Sequence, residues 1–230
     1  MTIVSAKSEE HIPKDDNSRF DLIRQRLHTP LVGDILDELG YRHQMLPAGI
    51  APIHSEMMLV GRAMPALIAR VYDPQQRPFG RLTEALDQLR PGEVYLASNA
   101  GAPCAAWGEI LTVAAKVREA AGAVIDGYHR DTPKVLREDW PVFSRGGYAQ
   151  DARIRTIVVD YRVPADVGTV RVEPGDLLFG DVDGVVAIPV SVEDEVISRA
   201  LAKAAAENTV RACIEEGMSS SEAFARYGVL

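Results

Sequence analysis

Glu109, Arg130 and Asp131 are the residues whose types and spacing could do chemistry together. They sit at the two ends of the run Trp107 to Asp131, WGEILTVAAKVREAAGAVIDGYHRD. Two carboxylates with open space between them suit Mg2+ or Mn2+, because a small hard cation keeps several waters and takes only one or two protein carboxylates. Arg130 adds a planar fork that fits a carboxylate or an enolate oxygen. A metal and a guanidinium facing a 2-oxo acid can stabilise an enolate. Gly108 and Glu109 fall in the first turn of a helix, where backbone N–H groups lack intrahelical partners and favour an anion.

These residues meet only if the chain folds as an α/β unit. Residues 107–121 read as a helix, with Ile110, Leu111, Ala114, Val117 and Ala121 on one apolar face and Gly122 closing it. Residues 123–126 (AVID) read as a short buried strand. In a parallel α/β unit, the loop after a strand lies at the same edge as the N-termini of the helices that follow the strands. If the neighbouring strand 93–98 (EVYLAS) leads into the helix, residues 127–131 face Gly108 and Glu109. Glu109, Arg130, Asp131 and free backbone donors then share one pocket.

The rest of the chain supplies the frame. Residues 1–17 read as a mobile polar arm, 18–190 as a single α/β domain, and 191–230 as a helical tail that packs on the domain or on a neighbouring subunit. Helices are expected at 18–28, 80–90, 191–217 and 221–227. Another is expected at 29–40, with Thr29 as N-cap, Pro30 in the first turn and Gly40 past the end. Strands are expected within 59–71 and at 141–145, 156–163, 169–172, 176–179 and 185–188. Pro91-Gly92 and Pro174-Gly175 are the same turn chemistry used twice. Strand–helix alternation followed by a β-rich meander makes this a mixed, layered α/β domain.

Composition removes several classes. A net charge of −8 and a pI of about 5.2 leave no basic face for nucleic acid. The polar N-terminus has no apolar signal segment, and no run of roughly 18 apolar residues could cross a membrane. The expectation is a cytoplasmic protein. Cys104 and Cys213 form neither a CxxC pair nor a zinc spacing and read as reduced thiols.

Gly108-Glu-Ile-Leu111, Ala123-Val-Ile-Asp-Gly127 and Arg130-Asp131 resemble the 4-hydroxy-4-methyl-2-oxoglutarate / 4-carboxy-4-hydroxy-2-oxoadipate aldolase family. That family lies within the superfamily of the regulator of ribonuclease E activity A (RraA-like). The likeness extends through Thr29…Gly33-Asp34…Leu39-Gly40, Pro141–Arg145, the Pro174-Gly-Asp turn and Asp181–Pro189, and covers most of residues 25–215. It implies an α/β/β/α swivelling-domain-like fold with a long C-terminal helix, a homotrimer or homohexamer, and sites between subunits. It also implies roles. Asp131 is the direct metal ligand. Glu109 acts on the metal through water and in proton transfer. Arg130 steadies the pyruvate moiety, and the amides of Gly108, Glu109, Ile110 and Leu111 hold the substrate carboxylate. A glutamate from the neighbouring subunit's C-terminal helix completes the site, and Glu207 is the candidate by position. The implied reaction is retro-aldol cleavage of a 4-hydroxy-2-oxo acid to pyruvate and a second oxo acid, with oxaloacetate decarboxylation through the same enolate. Tyr128 and His129 stand where relatives often carry smaller residues, so they could narrow the pocket or recognise a distal group.

Rival readings remain. A Schiff-base aldolase needs a desolvated lysine, and Lys116 and Lys134 are the nearest. The resemblance implies that members of the non-catalytic, ribonuclease-regulating branch lack the acid after the arginine, and Asp131 is present. No glycine-rich nucleotide loop supports a methyltransferase. Asp181 and Asp183 resemble a second metal site, although Asp-Gly turn chemistry explains Asp183. His129 reads as a polar loop residue, and Met57, Met58 and Met64 as core filler.

Overall fold

The computed structural model describes residues 12–98 and 101–228, so most of the expected N-terminal arm lies outside the described residues. The helices are α1 (Asp16–Arg26), α2 (Thr29–Glu38), α3 (Leu82–Asp87), α4 (Glu109–Val117), α5 (Thr132–Arg137), α6 (Glu193–Glu215) and α7 (Ser220–Tyr227). The strands are β1 (Ala51–Pro52), β2 (Leu59–Arg70), β3 (Glu93–Ser98), β4 (Ala105–Trp107), β5 (Gly122–Ile125), β6 (Tyr128–His129), β7 (Val142–Ser144), β8 (Thr156–Tyr161), β9 (Ala165–Val167), β10 (Val170–Val172), β11 (Leu177–Asp181) and β12 (Gly184–Ile188).

The main sheet runs β1-β7-β5-β3-β2-β11-β12, and β8 pairs with the second half of β2. Strands β2, β3, β5 and β7 are mutually parallel, whereas β11 and β8 run antiparallel to β2. The two Pro-Gly turns converge on the middle of β2. Gly92 (φ 76°) accepts from Arg62 N–H, and Gly175 (φ 93°) donates to Ala63 O. Both turns need a backbone that glycine adopts without strain.

Period-two alternation sorts the strand residues into an inside and an outside. Leu59, Ala63, Leu96, Val124, Phe143 and Leu178 point into one core. The β9–β10 hairpin adds Val167, Val170 and Val172 to it. Leu46 N–H bonds to Val185 O, so the segment before β1 reaches β12 and the sheet curls nearly closed. Outside, Met64, Tyr95, Ala123 and Ile125 pack with Ala85 and Leu86 of α3, Ala115 of α4 and Val135 of α5. Val60, Phe179, Val186 and Ile188 instead meet α1, α2 and α6. The result is the expected α/β/β/α layering with a long C-terminal helix.

Several local expectations are corrected. Trp107 belongs to β4, so α4 starts at Glu109. Its buried face is Thr112 and Ala115, while Ile110 and Val117 are 72% and 76% exposed. The indole of Trp107 donates to Thr112 Oγ1 at 2.9 Å, which rolls α4 so that small Ala115 meets the sheet. Thr29 is the first residue of α2 and His28 its N-cap. The helix start is capped from a distance, because buried Asp181 accepts from Thr29 N at 2.7 Å and Thr29 Oγ1 at 2.6 Å. Asp181 also accepts from Asp183 N at 2.9 Å, so these two acids form a structural staple and not an open metal site. Helix α1 starts at Asp16, capped by Asp15, earlier than the hydrophobic pattern suggests.

Asp181→Ala leaves the α2 N-terminus unsatisfied. The expected cost is about 1–3 kcal/mol, read as a lower urea midpoint with an unchanged slope.

Candidate active site

A two-stranded parallel ribbon builds the site. Strands β4 and β6 pair Ala105 with Tyr128 and Trp107 with His129. Just past the ribbon, Arg130 N–H bonds to Trp107 O at 3.0 Å. This sets Arg130 and Asp131 beside Gly108, the N-cap of α4. Asp131 Oδ2 lies 3.4 Å from Glu109 N, at the positive end of that helix. A Cβ on Gly108 would stand 2.8 Å from the same oxygen, so glycine is needed for the carboxylate to reach the helix end. Asp131 is also the N-cap of α5 and is left-handed (φ 59°), a conformation that Asp tolerates better than most residues.

A cavity of about 280 Å³ opens here, lined by Gly108, Ile110, Leu111, Arg130, Asp131 and Asp151 together with apolar neighbours. Arg130 Nη1 lies 3.0 Å from Asp151 Oδ1, and its Nε lies 3.7 Å from Asp131 Oδ2. The guanidinium is therefore held between two carboxylates. Asp151 escaped sequence reading because it is a lone acid in a loop with no helical or strand pattern; its pairing with Ala105 brings it in. The side chain of Glu109 does not line the cavity. It turns to Lys134, with Nζ–Oε2 at 2.9 Å. The hydrogen bond to Glu109 pushes the pKa of the exposed Lys134 up, the opposite of the desolvated, lowered amine that Schiff-base chemistry needs. Lys116 is engaged by Glu138. Glu207 lies on α6, on the side of the sheet away from α4 and α5.

A family model described as "RraA-like: Aldolase/RraA" matches residues 29–187. The chain belongs to the RraA-like family. A Halalkalibacterium halodurans protein named "Putative 4-hydroxy-4-methyl-2-oxoglutarate aldolase" is 28% identical over 90% of this chain and 95% of its own length. Protein DlpA of Legionella pneumophila is 27% identical over 84% of this chain, which spans only 31% of DlpA. A crystal structure of an uncharacterized protein from Pseudomonas syringae pv. tomato superposes with a TM-score of 0.83 and is 31% identical, covering 94% of this chain and 97% of that one.

Other residues of this RraA-like chain take structural roles. Buried His129 bonds Ser144 Oγ through Nδ1 at 2.7 Å and Thr132 Oγ1 through Nε2 at 2.9 Å, so it is a core residue and not a solvent-facing loop residue. Tyr128 packs on Tyr148 with ring centroids 5.4 Å apart. Neither Tyr128 nor His129 lines the cavity. Burial pushes the Cys104 thiol pKa up, which disfavours the reactive thiolate. Larger hollows of about 470 and 500 Å³ lie beside Trp140 and Phe224. The basic residues of the second, Arg199 and Lys203, are already paired with Glu195 and Asp34. Among the described residues, no helix is long and apolar enough to cross a membrane.

Burial lowers the His129 pKa, so the folded state favours the neutral ring. The folded state then binds fewer protons than the unfolded state. Stability from this residue is full above the unfolded value of about 6.5 and declines as pH falls through and below it. His129→Asn is expected to flatten the fall of stability below about pH 6.5, measured by urea denaturation at each pH.

Proposed function

We propose that this RraA-like chain is a divalent-metal-dependent lyase. Its reaction is retro-aldol cleavage of a 4-hydroxy-2-oxo acid, releasing pyruvate and a second carbonyl compound, with oxaloacetate decarboxylation as a side activity. The observation that carries this reading is Arg130-Asp131 set against the α4 N-terminus on the wall of a cavity.

The residues fit Mg2+ or Mn2+. Gly108 leaves room at Asp131 Oδ2 that a Cβ would fill. Asp131 and Asp151 are the carboxylates of the cavity wall, and Mg2+ takes only one or two protein carboxylates and keeps several waters. Asp131 would hold the ion, which supplies Lewis acidity toward the 2-oxo group. The first-turn N–H groups of Ile110 and Leu111, joined by that of Glu109 once Asp131 turns to the ion, receive the C1 carboxylate. Asp151 is the cavity carboxylate available to take the 4-hydroxyl proton. As that proton leaves, the C3–C4 bond breaks and its electron pair passes to the enolate, whose oxygen accepts from Arg130. A proton returned to C3 completes pyruvate. Glu109 serves through water from the rim, once its carboxylate is released by Lys134.

Association with further copies of the chain, as a homotrimer or homohexamer, completes the proposal. Ile110, Val113 and Val117 form an exposed apolar stripe on α4 beside the cavity. Glu207 of a neighbouring subunit is the proposed further acid, since α6 packs with α1 and α2 and not with α4 and α5. The family description spans both aldolases and RraA, and a non-catalytic regulator of a ribonuclease is the other reading. Asp131 beside Arg130 favours the enzyme.

Asp131→Asn keeps the left-handed backbone acceptable and removes the charge. It is expected to abolish Mg2+- or Mn2+-supported pyruvate release from oxaloacetate and to leave the circular dichroism unchanged. Arg130→Lys is expected to lower kcat by about 100-fold. EDTA should stop turnover by the wild-type protein. No turnover with any divalent metal would favour the regulator.

A further inference from the structure

We infer that Arg155 is a positioning residue: it holds the Asp151 carboxylate at the cavity as the proton acceptor that retro-aldol cleavage needs and oxaloacetate decarboxylation does not. This rests on the lyase reading above and deepens it. Asp151 lies between β7 and β8, in a segment with no helix or strand of its own. Gln150 and Arg153 close beside it are exposed. A carboxylate on such a loop is placed less precisely than one on a helix or strand. A displacement of about 1 Å can cost about 100-fold in rate.

Arg155 ties this loop down. Its Nη1 donates to Asp151 O at 3.0 Å. Its Nη2 donates to the side-chain oxygen of Gln150 at 2.9 Å, with the Gln150 amide turned so that its nitrogen donates to Pro103 O at 3.1 Å. Ala105 N donates to Gln150 O at 2.8 Å. The loop is thereby fixed to β4, half of the ribbon that also sets Arg130. Both bonds from Arg155 go to uncharged oxygens, so its planar fork acts as a bracket between two residues of the loop. Asp151 Oδ2 accepts from Arg153 N at 3.3 Å, which leaves Oδ1 to face Arg130, 3.0 Å from its Nη1.

One proton separates the two reactions. In retro-aldol cleavage the 4-hydroxyl gives its proton to Asp151 Oδ1 as Arg130 turns to the enolate oxygen. The C3–C4 pair passes to the enolate, C4 becomes a carbonyl carbon, and the proton returns to C3. In oxaloacetate the departing group is a carboxylate that is already ionised. Its C3–C4 pair passes to the same enolate, carbon dioxide leaves, and C3 takes a proton from solvent. Asp151 has no proton to accept there. Loosening the bracket therefore slows cleavage far more than decarboxylation.

The test measures pyruvate release with Mg2+ from 4-hydroxy-4-methyl-2-oxoglutarate, 4-hydroxy-2-oxopentanoate and oxaloacetate, each above the rate with Mg2+ alone. Its readout is kcat for cleavage of the better hydroxy acid divided by kcat for decarboxylation. Asp151→Asn keeps the shape of the side chain and is expected to lower this ratio by about 100-fold. Arg155→Met is expected to lower it by about tenfold, with KM for cleavage changed by less than about threefold. Arg155→Lys should recover part of the fall. In the Asp151→Asn background, Arg155→Met should lower the ratio no further, because it acts through Asp151. If circular dichroism shows Arg155→Met unfolded, Gln150→Leu, which removes the other end of the bracket, carries the test with an expected fall of about threefold. Equal loss of both activities, or independent effects of Arg155 and Asp151, would overturn the positioning role and leave the lyase standing. A ratio unmoved by Asp151→Asn would place the proton acceptor elsewhere and overturn the inference. Decarboxylation by the wild-type protein without cleavage of either hydroxy acid would overturn it too. Pyruvate release from none of the three compounds would overturn the lyase reading and this inference with it.

Discussion

The hydrogen bond from Arg130 N–H to Trp107 O joins two parts of the chain that are distant in sequence and fixes where the charged groups sit. The β4–β6 ribbon before it leaves the chain little freedom, because parallel pairing sets the register of Trp107 against His129. His129 is itself clamped by Ser144 and Thr132, so the backbone leading to Arg130 and Asp131 is held from both sides. The indole of Trp107, bonded to Thr112, sets the roll of α4 over the same point. Precise placement matters because a carboxylate and a guanidinium act on a substrate only within hydrogen-bond reach.

Competition among charges is the second theme. Arg130 is shared by Asp131 and Asp151, and Glu109 is drawn to Lys134. These pairs are partly exposed, so each contributes modestly to stability and can be exchanged for substrate contacts at modest cost. The buried ionic cluster of Arg19, Arg62 and Glu193 is of another kind. It ties α1 and β2 to the start of α6, far from the cavity, and has no evident part in chemistry.

The layering leaves one helix face uncovered. Helices α3, α4 and α5 cover one side of the curled sheet, and α1, α2 and α6 the other. An apolar stripe on α4 is left open beside the cavity, while the long α6 buries Val196, Ile197, Ala200 and Leu201 and then extends outward, with Ile214 partly exposed. Exposed apolar residues in a row, unlike scattered single ones, are surface that another chain can cover.

Much of this was legible in the sequence. Hydrophobic alternation, Pro-Gly turns and the apolar stripe of α2 are local signals, and they gave the layered α/β class and most elements to within a few residues. The meeting of Arg130 and Asp131 with Gly108 was also legible, because parallel α/β connectivity forces it. Tertiary structure alone decided the rest. The buried face of α4 depended on the Trp107–Thr112 bond, and the capping of α2 depended on Asp181 arriving from β11. Asp151 entered the site, and Glu109 turned out of it, through partners far apart in sequence. Periodicity and turn chemistry report what a residue does to its own neighbours along the chain. They carry no record of which distant charge will lie within 3 Å once the sheet has curled.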